Sequence, residues 1–230
     1  MDSDENKKSD KVGHRLRLKK RYINEGLDSF EDYSVLELLL FYIIRQKDTK
    51  AMAKALIKEF GSFHKVLEAP IEKLKEVQGI GNETALFLKL LPDVFRYYKN
   101  DKIKDVKILD SVDKAVEYLT PKFIGITNEI VYIICLDSCH RLISCSKISE
   151  GIENQASVSI KKIVEEAIKT RSTEIMIAHN HPKSLALPSR QDVVFTRNLK
   201  DILKAMSIDL VDHLVFDNRG YFSMLEKGFI

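Results

Sequence analysis

Cysteine is scarce: the chain of 230 residues has three, Cys135, Cys139 and Cys145. So small and odd a number excludes a disulfide-stapled secreted scaffold and points to a reducing compartment. Their spacing is not the Cys-x-x-Cys of zinc ribbons, and Cys135 and Cys145 fall in strand-like apolar runs, so core packing is their expected role. Long apolar runs are missing as well. The longest obvious one, residues 38–44, falls far short of the roughly 20 residues a bilayer-spanning helix needs. The N-terminal stretch is charged and lacks the apolar centre of a secretory signal. Nor is there an excess of one charge: 37 basic against 34 acidic side chains leave a net charge of +3, which permits contact with nucleic acid without arguing for it. No internal repeat is evident. A cytoplasmic protein without membrane contact is expected.

What the chain does contain divides into two regions of different periodicity. Residues 1–10 are polar and acidic with almost nothing to bury, which predicts a disordered tail. Residues 11–98 read as an all-helical domain, with apolar residues at helical spacing over 34–44, 49–60 and 71–77, punctuated by Gly61-Ser62 and Pro70. Residues 99–106 gather Lys99, Asn100, Asp101, Lys102, Lys104 and Asp105, the composition of a solvated linker. The second domain, 107–230, is mixed. A helix over 112–119 precedes two strand-like runs, 130–136 and 142–148, joined by the turn Asp137-Ser138-Cys139-His140. A helix over 158–168, a strand over 174–181, a helix over 190–206 and a hairpin of 208–216 with 221–225 complete the order. The predicted fold is two-domain α+β or α/β, with helices packed on a mixed sheet in the second half.

Two features of the helical region bear on nucleic acid. Residues 11–21 hold six basic residues and no acid, so the segment could lie against phosphate or be an ordinary solvated helix. Val77-Gln78-Gly79-Ile80-Gly81-Asn82, followed by a helical pattern over 84–91, resembles a helix-hairpin-helix motif. Gly79 and Gly81 would allow a tight turn whose backbone N–H groups meet a phosphate without reading sequence. The plainer reading is a turn that ends one helix and lets Asn82 cap the next, and Glu83 is the wrong charge for phosphate.

The most informative stretch is 174–192. Alternation over 174–181 puts Ile175, Ile177, His179 and His181 on one face, so an apolar ladder ends in two imidazoles about 7 Å apart along the strand, within reach of one cation. Pro182 stops the ladder, and Pro188-Ser189 opens a helix with Asp192 in its first turn. Two histidines and a carboxylate are a common protein share of a catalytic zinc site, because they leave the fourth tetrahedral position for water. The Ser-x-x-Asp spacing is also that of a capping box, in which Asp192 would only close a helix end.

His179-Asn180-His181-Pro182, continued by Ser189 and Asp192, resembles the JAMM (MPN+) metalloprotease motif, and the closest variant is that of the RadC family, which the chain resembles on both sides of the motif. The resemblance implies an MPN-like domain, one zinc per chain on His179, His181 and Asp192, and hydrolysis of a peptide or isopeptide bond in a peptide or protein substrate. The family usually continues His-Asn-His-Pro-Ser-Gly, whereas Lys183 and Ser184 stand here, so the loop lacking that glycine is expected to differ in conformation. A hydrolase also needs a base. Glu129, just before the first strand, resembles the glutamate that RadC proteins carry there, and Glu150, at the end of the second strand, is the alternative. Ser189 could donate to a developing oxyanion as well as cap its helix. His213 is read as a support for the ligands or as core. Two functions follow: a zinc-dependent metallopeptidase, or a repair accessory that binds DNA weakly and without sequence preference and whose metal site is structural or vestigial. The second draws on the DNA-repair label that RadC proteins carry.

Overall fold

The computed structural model describes residues 2–45, 47–103, 105–151 and 159–230, with side chains from residue 13 onward. It divides into two units, Met1–Val94 and Phe95–Ile230. The first is helical: α1 (Asp2–Glu25), α2 (Asp32–Ile43), α3 (Thr49–Phe60), α4 (Phe63–Glu68), α5 (Ile71–Glu76) and the opening of α6 (Asn82–Ile103). Its helix ends have local causes. The Asp48 side chain accepts from the N–H groups of Lys50 and Ala51 at 3.1 and 3.2 Å, capping α3. Gly61 ends that helix in the left-handed region at φ 91°, where a β-carbon would be strained. Leu36 and Leu40 of α2 meet Leu56, Val66, Leu74 and Leu88 in one core, each buried leucine contributing about 2 kcal/mol.

Two boundaries differ from the sequence reading. Helix α1 takes in residues 2–10, where a disordered tail is expected, and α6 continues to Ile103, into the linker expected at 99–106. In α6 the added turns carry local side-chain contacts: Asn100 Nδ2 donates to the Arg96 carbonyl at 2.9 Å, and the Lys102 ammonium sits 5.5 Å from the centre of the Tyr98 ring. Such i to i+4 contacts support a helix whose composition alone reads as polar coil.

The second unit contains α7 (Val112–Phe123), β1 (Glu129–Leu136), β2 (Leu142–Gly151), α8 (Ile160–Thr170), β3 (Glu174–Asn180), α9 (Arg190–Ala205), β4 (Asp209–Phe216) and β5 (Tyr221–Ser223). Residue 158, where the sequence reading starts the eighth helix, lies outside the described residues. The strands form one α+β sheet in the order β2-β1-β3-β4-β5. Its one parallel pair is β3 with β4; the others are antiparallel. One face carries Ile134, Leu136, Met176, Ala178, Leu214 and Phe216 against Ala115 and Leu119 of α7. The other carries Val131, Ile133, Cys135, Ile175 and Ile177 against α8 and α9. With helices on both faces, β1 and β3 are buried almost throughout, which explains their near-continuous apolar runs. Cys135 and Cys145 pack in these two cores, while Cys139 is exposed in the β1–β2 turn.

Parallel neighbours cannot be joined by a tight turn, so the chain must leave β3, cross over one face and return. Helix α9 is that crossover. Its first turn therefore begins beside the end of β3, where the histidines are. Among the described residues no helix is long and apolar enough to cross a membrane.

Candidate metal centre

Strand β3 delivers His179 almost completely buried, and His181 follows just past the strand end, itself tied to the sheet by its N–H on the Phe216 carbonyl at 2.7 Å. The two Nε2 atoms lie 3.0 Å apart. Asp192 Oδ1 is 3.7 Å from His179 Nε2 and Oδ2 is 3.9 Å from His181 Nε2, while Glu129 Oε1 is 3.7 Å from His181 Nε2. Glu129, His179 and His181 offer ligand atoms all within 4.8 Å of one another. Zinc bonds of 2.0–2.1 Å in a tetrahedron set donor atoms about 3.3 Å apart, and these separations bracket that spacing. The donor set fits one small divalent cation.

The capping box is present too. Ser189 N donates to Asp192 Oδ2 at 2.7 Å, and Asp192 N donates to Ser189 Oγ at 3.1 Å. The two roles do not compete for one atom: Oδ2 closes the helix, and Oδ1 faces His179. Ser189 Oγ acts here as an acceptor, which leaves its own O–H available to donate.

The hydrogen-bond inventory fixes which nitrogens carry protons. His181 Nδ1 lies 3.0 Å from the Leu185 carbonyl, which can only accept, so Nδ1 holds the proton and Nε2 presents its lone pair. On the other histidine of the pair, His179 Nδ1 is 2.8 Å from His213 Nε2, His213 Nδ1 is 2.6 Å from Thr196 Oγ1, and Thr196 Oγ1 donates to the Asp192 carbonyl at 2.6 Å. Thr196 has one proton and gives it to that carbonyl, so His213 donates from Nδ1 and accepts at Nε2. His179 then donates from Nδ1 and its Nε2 is unprotonated. Two lone pairs face each other across 3.0 Å, an arrangement that a shared cation stabilises. The links also close a circuit from one proposed ligand, His179, to the backbone of another, Asp192.

Burial keeps the His179 and His213 rings neutral. It pushes His179 down to about 4, opposed by the Asp192 carboxylate and reinforced by His181. Complete burial likewise holds His213 well below the usual histidine range, with His179 and His181 adding to the effect. Neutral imidazole is the form that ligates metal.

Asn180 faces the opposite side of the strand from the two histidines. Its side chain accepts the Ile130 N–H at 2.8 Å and donates to the Asn128 carbonyl at 3.0 Å, gripping the chain on both sides of Glu129. After Pro182 the loop is tied down by Asp217, whose Oδ2 accepts the Ala186 N–H at 2.9 Å. Although desolvation pushes the other way, N–H groups of Arg219, Ala186 and Gly220 hold the Asp217 carboxyl below its usual range. No residue from 182 to 188 has positive φ, so this loop makes no use of the conformational freedom of the glycine that Lys183-Ser184 lacks.

Glu150 is engaged by Lys147 at 2.5 Å and stays outside the cluster, so Glu129 is the glutamate that the fold brings to the histidines. Gly79 and Gly81 lie elsewhere, in the turn between α5 and α6. Gly79 has φ 91°, and a β-carbon there would meet Met52 Cε at 2.5 Å, so turn geometry and packing account for it. Asn82 is the first residue of α6, and the Gly81 carbonyl accepts the Ala85 N–H at 3.0 Å, which puts Gly81 at the cap position expected for Asn82. In the basic segment, Arg15, Lys19 and Arg21 lie 4.5–4.9 Å from the ring centres of Phe41, Tyr42 and Phe30.

Sequence reasoning gave Asn180 no role beyond its place in the motif and missed Thr196. It also missed Asp212, a buried carboxylate that accepts from His213 N, Leu225 N and Ser223 Oγ. For Asp212 the available signal was the polar pair Asp212-His213 inside the otherwise apolar run of β4.

A histidine pair at the end of a central strand, with an acid opening the crossover helix of a mixed sheet, defines a domain of the JAB class. Residues 109–229 match the family described as RadC-like JAB domain. The chain is also similar to UPF0758 protein FN0909 of Fusobacterium nucleatum subsp. nucleatum, 34% identical over 228 residues that cover 96% of this chain and 98% of that protein. The chain belongs to the RadC family.

Proposed function

We propose that this chain is a zinc-dependent metallopeptidase that hydrolyses a peptide or isopeptide bond. The observation that carries the reading is the pair of unprotonated Nε2 atoms 3.0 Å apart, with two carboxylates beside them. His179, His181 and Asp192 Oδ1 would hold the ion, one per chain. A zinc ion there supplies a Lewis acid that lets water ionise near neutral pH. Glu129, with Oε1 3.7 Å from His181 Nε2, would take the proton from the attacking water and return it to the leaving amine. Ser189, whose O–H is not needed for its cap, would donate to the oxygen on which charge develops.

The test is hydrolysis of a peptide library by the zinc-loaded protein, with metal content measured alongside. Glu129→Gln should keep the metal and lose activity; Glu150→Gln should keep both. Activity retained by Glu129→Gln but lost in Glu150→Gln would reverse the assignment of the base, and no hydrolysis by the zinc-loaded wild type would remove the peptidase reading.

A further inference from the structure

A groove of about 280 Å³ opens against His181 in the second unit. Its floor and walls include Val116 and Phe123 of α7, Ile126 of the segment that runs into Glu129, and Phe216 and Tyr221 of the β4–β5 hairpin. The Phe123 and Phe216 rings pack 4.9 Å apart between their centres. We infer that this groove is the subsite for an apolar side chain of the substrate, aliphatic or aromatic, on a residue flanking the bond that is cut. The inference rests on the peptidase reading.

Position argues for a substrate rather than an unrelated ligand. Asn180, His181 and Pro182 line the groove together with Ile124 and Ile126, which precede the Asn128 that Asn180 holds next to Glu129. A peptide laid across the end of β3 would present its reacting carbonyl at the histidines. Adjacent residues of an extended peptide rise only about 3.3 Å, so a neighbouring side chain falls beside that carbonyl. The volume sits just below the roughly 300 Å³ at which sites for larger organic ligands begin. Chemistry selects the occupant. A carboxylate or ammonium inserted against Val116, Phe123, Ile126 and Phe216 would be stripped of water by apolar walls, whereas a leucine or phenylalanine side chain gains by burial. The Asp217 carboxylate on the rim already accepts from the N–H groups of Ala186, Arg219 and Gly220, and Arg219 is exposed, so neither turns the interior into a charge pocket.

The experiment is fluorescence polarisation with zinc-loaded Glu129→Gln protein and dye-labelled hexapeptide amides that differ at one central position: Leu, Phe, Asp or Lys. Leu and Phe peptides should bind roughly 10-fold or more tightly than Asp and Lys peptides. Ile126→Asp in the same background should abolish that preference. Thr120→Trp, at an exposed groove position on α7, should block it while leaving zinc content and melting temperature unchanged. Equal binding of all four peptides, no binding by any, or a preference that survives both substitutions would overturn the subsite. A preference in Glu129→Gln, together with no hydrolysis by the wild type, would instead remove the peptidase reading and leave the groove as a binding site for an apolar peptide side chain.

Discussion

Asn180 brackets Glu129: its Oδ1 accepts the N–H of Ile130 at 2.8 Å, and its Nδ2 donates to the carbonyl of Asn128 at 3.0 Å. The residue between the two proposed histidine ligands thus sets the backbone that carries the proposed base. Asn180→Ala should strand the buried Ile130 N–H, cost about 1–3 kcal/mol of stability, and lower hydrolysis while the protein still takes up zinc. Denaturant unfolding, turnover and metal content, measured on one preparation, check this. A full rate in Asn180→Ala would show that the clamp does not position Glu129.

Asp192 serves both a helix end and the cluster, and substitution separates the two. Asp192→Asn keeps an oxygen that can accept from Ser189 N but loses the charge, so stability should hold while zinc affinity falls. His181→Ala and Asp192→Ala should both lose most of their zinc. A cap alone is worth about 1 kcal/mol, so Asp192→Ala with full metal occupancy and only that loss would make Asp192 a capping residue.

The links from His179 through His213 and Thr196 end on the Asp192 carbonyl. Thr196→Val preserves shape and removes the hydroxyl, leaving His213 Nδ1 without its acceptor. Zinc affinity, read by competition with a chelator, should fall about 10–100-fold, the usual effect of removing support from a metal ligand. Unchanged affinity would mean the links serve packing alone.

The metal-free protein should be sensitive to acid. His179 sits at about 4 in the folded chain, against an ordinary 6.5. Above pH 6.5 the ring is neutral in both states and the stability of the fold is fully present. As pH falls from 6.5 towards 4, the unfolded chain binds a proton that the folded one refuses, so stability drops, by about 3 kcal/mol from His179 alone. His213 acts in the same direction. Urea midpoints at pH 7.5, 6 and 5 would show this, and a midpoint that does not move would contradict neutral burial of these rings.

For nucleic acid, Arg15 already donates to the Ile44 and Lys47 carbonyls and Arg21 is paired with the Glu25 carboxylate, so a phosphate would have to compete for these two side chains. Fewer than about six phosphates should be neutralised, so log affinity should fall with log salt more shallowly than roughly −5, with little preference among duplex sequences. Titration of the full chain at two salt concentrations decides this, and tight sequence-selective binding would refute it.

His179, His181 and Asp192 are legible because one short stretch of chain carries them, and strand alternation followed by a helix start brings such residues together without knowledge of the rest. The pairing of Glu129 with that stretch came from resemblance, since nothing local distinguishes it from Glu150. What decides between them is register: Val131 stands opposite His179, and the next residues outward are Ile130, clamped by Asn180, and then Glu129. His213 is placed by the pairing of Ile177 with it across the parallel strands. These relations span tens of residues and depend on which strands become neighbours, a property of the assembled sheet that no local periodicity encodes. The true ends of α1 and α6 escaped for a different reason: polar helix turns carry no apolar stripe to count.

The crossover from β3 to α9 has a further consequence. With His181 at its first residue and Asp192 in the first turn of the helix that follows it, the connecting loop is a segment whose two flanks would be fastened to a single ion, and a fastened segment has fewer conformations to lose on ordering. Its middle is already pegged by Ala186 to Asp217. An ion there would act as a removable staple, so the exposed leucines Leu185 and Leu187 would be held in place when it is bound and freer to rearrange when it leaves.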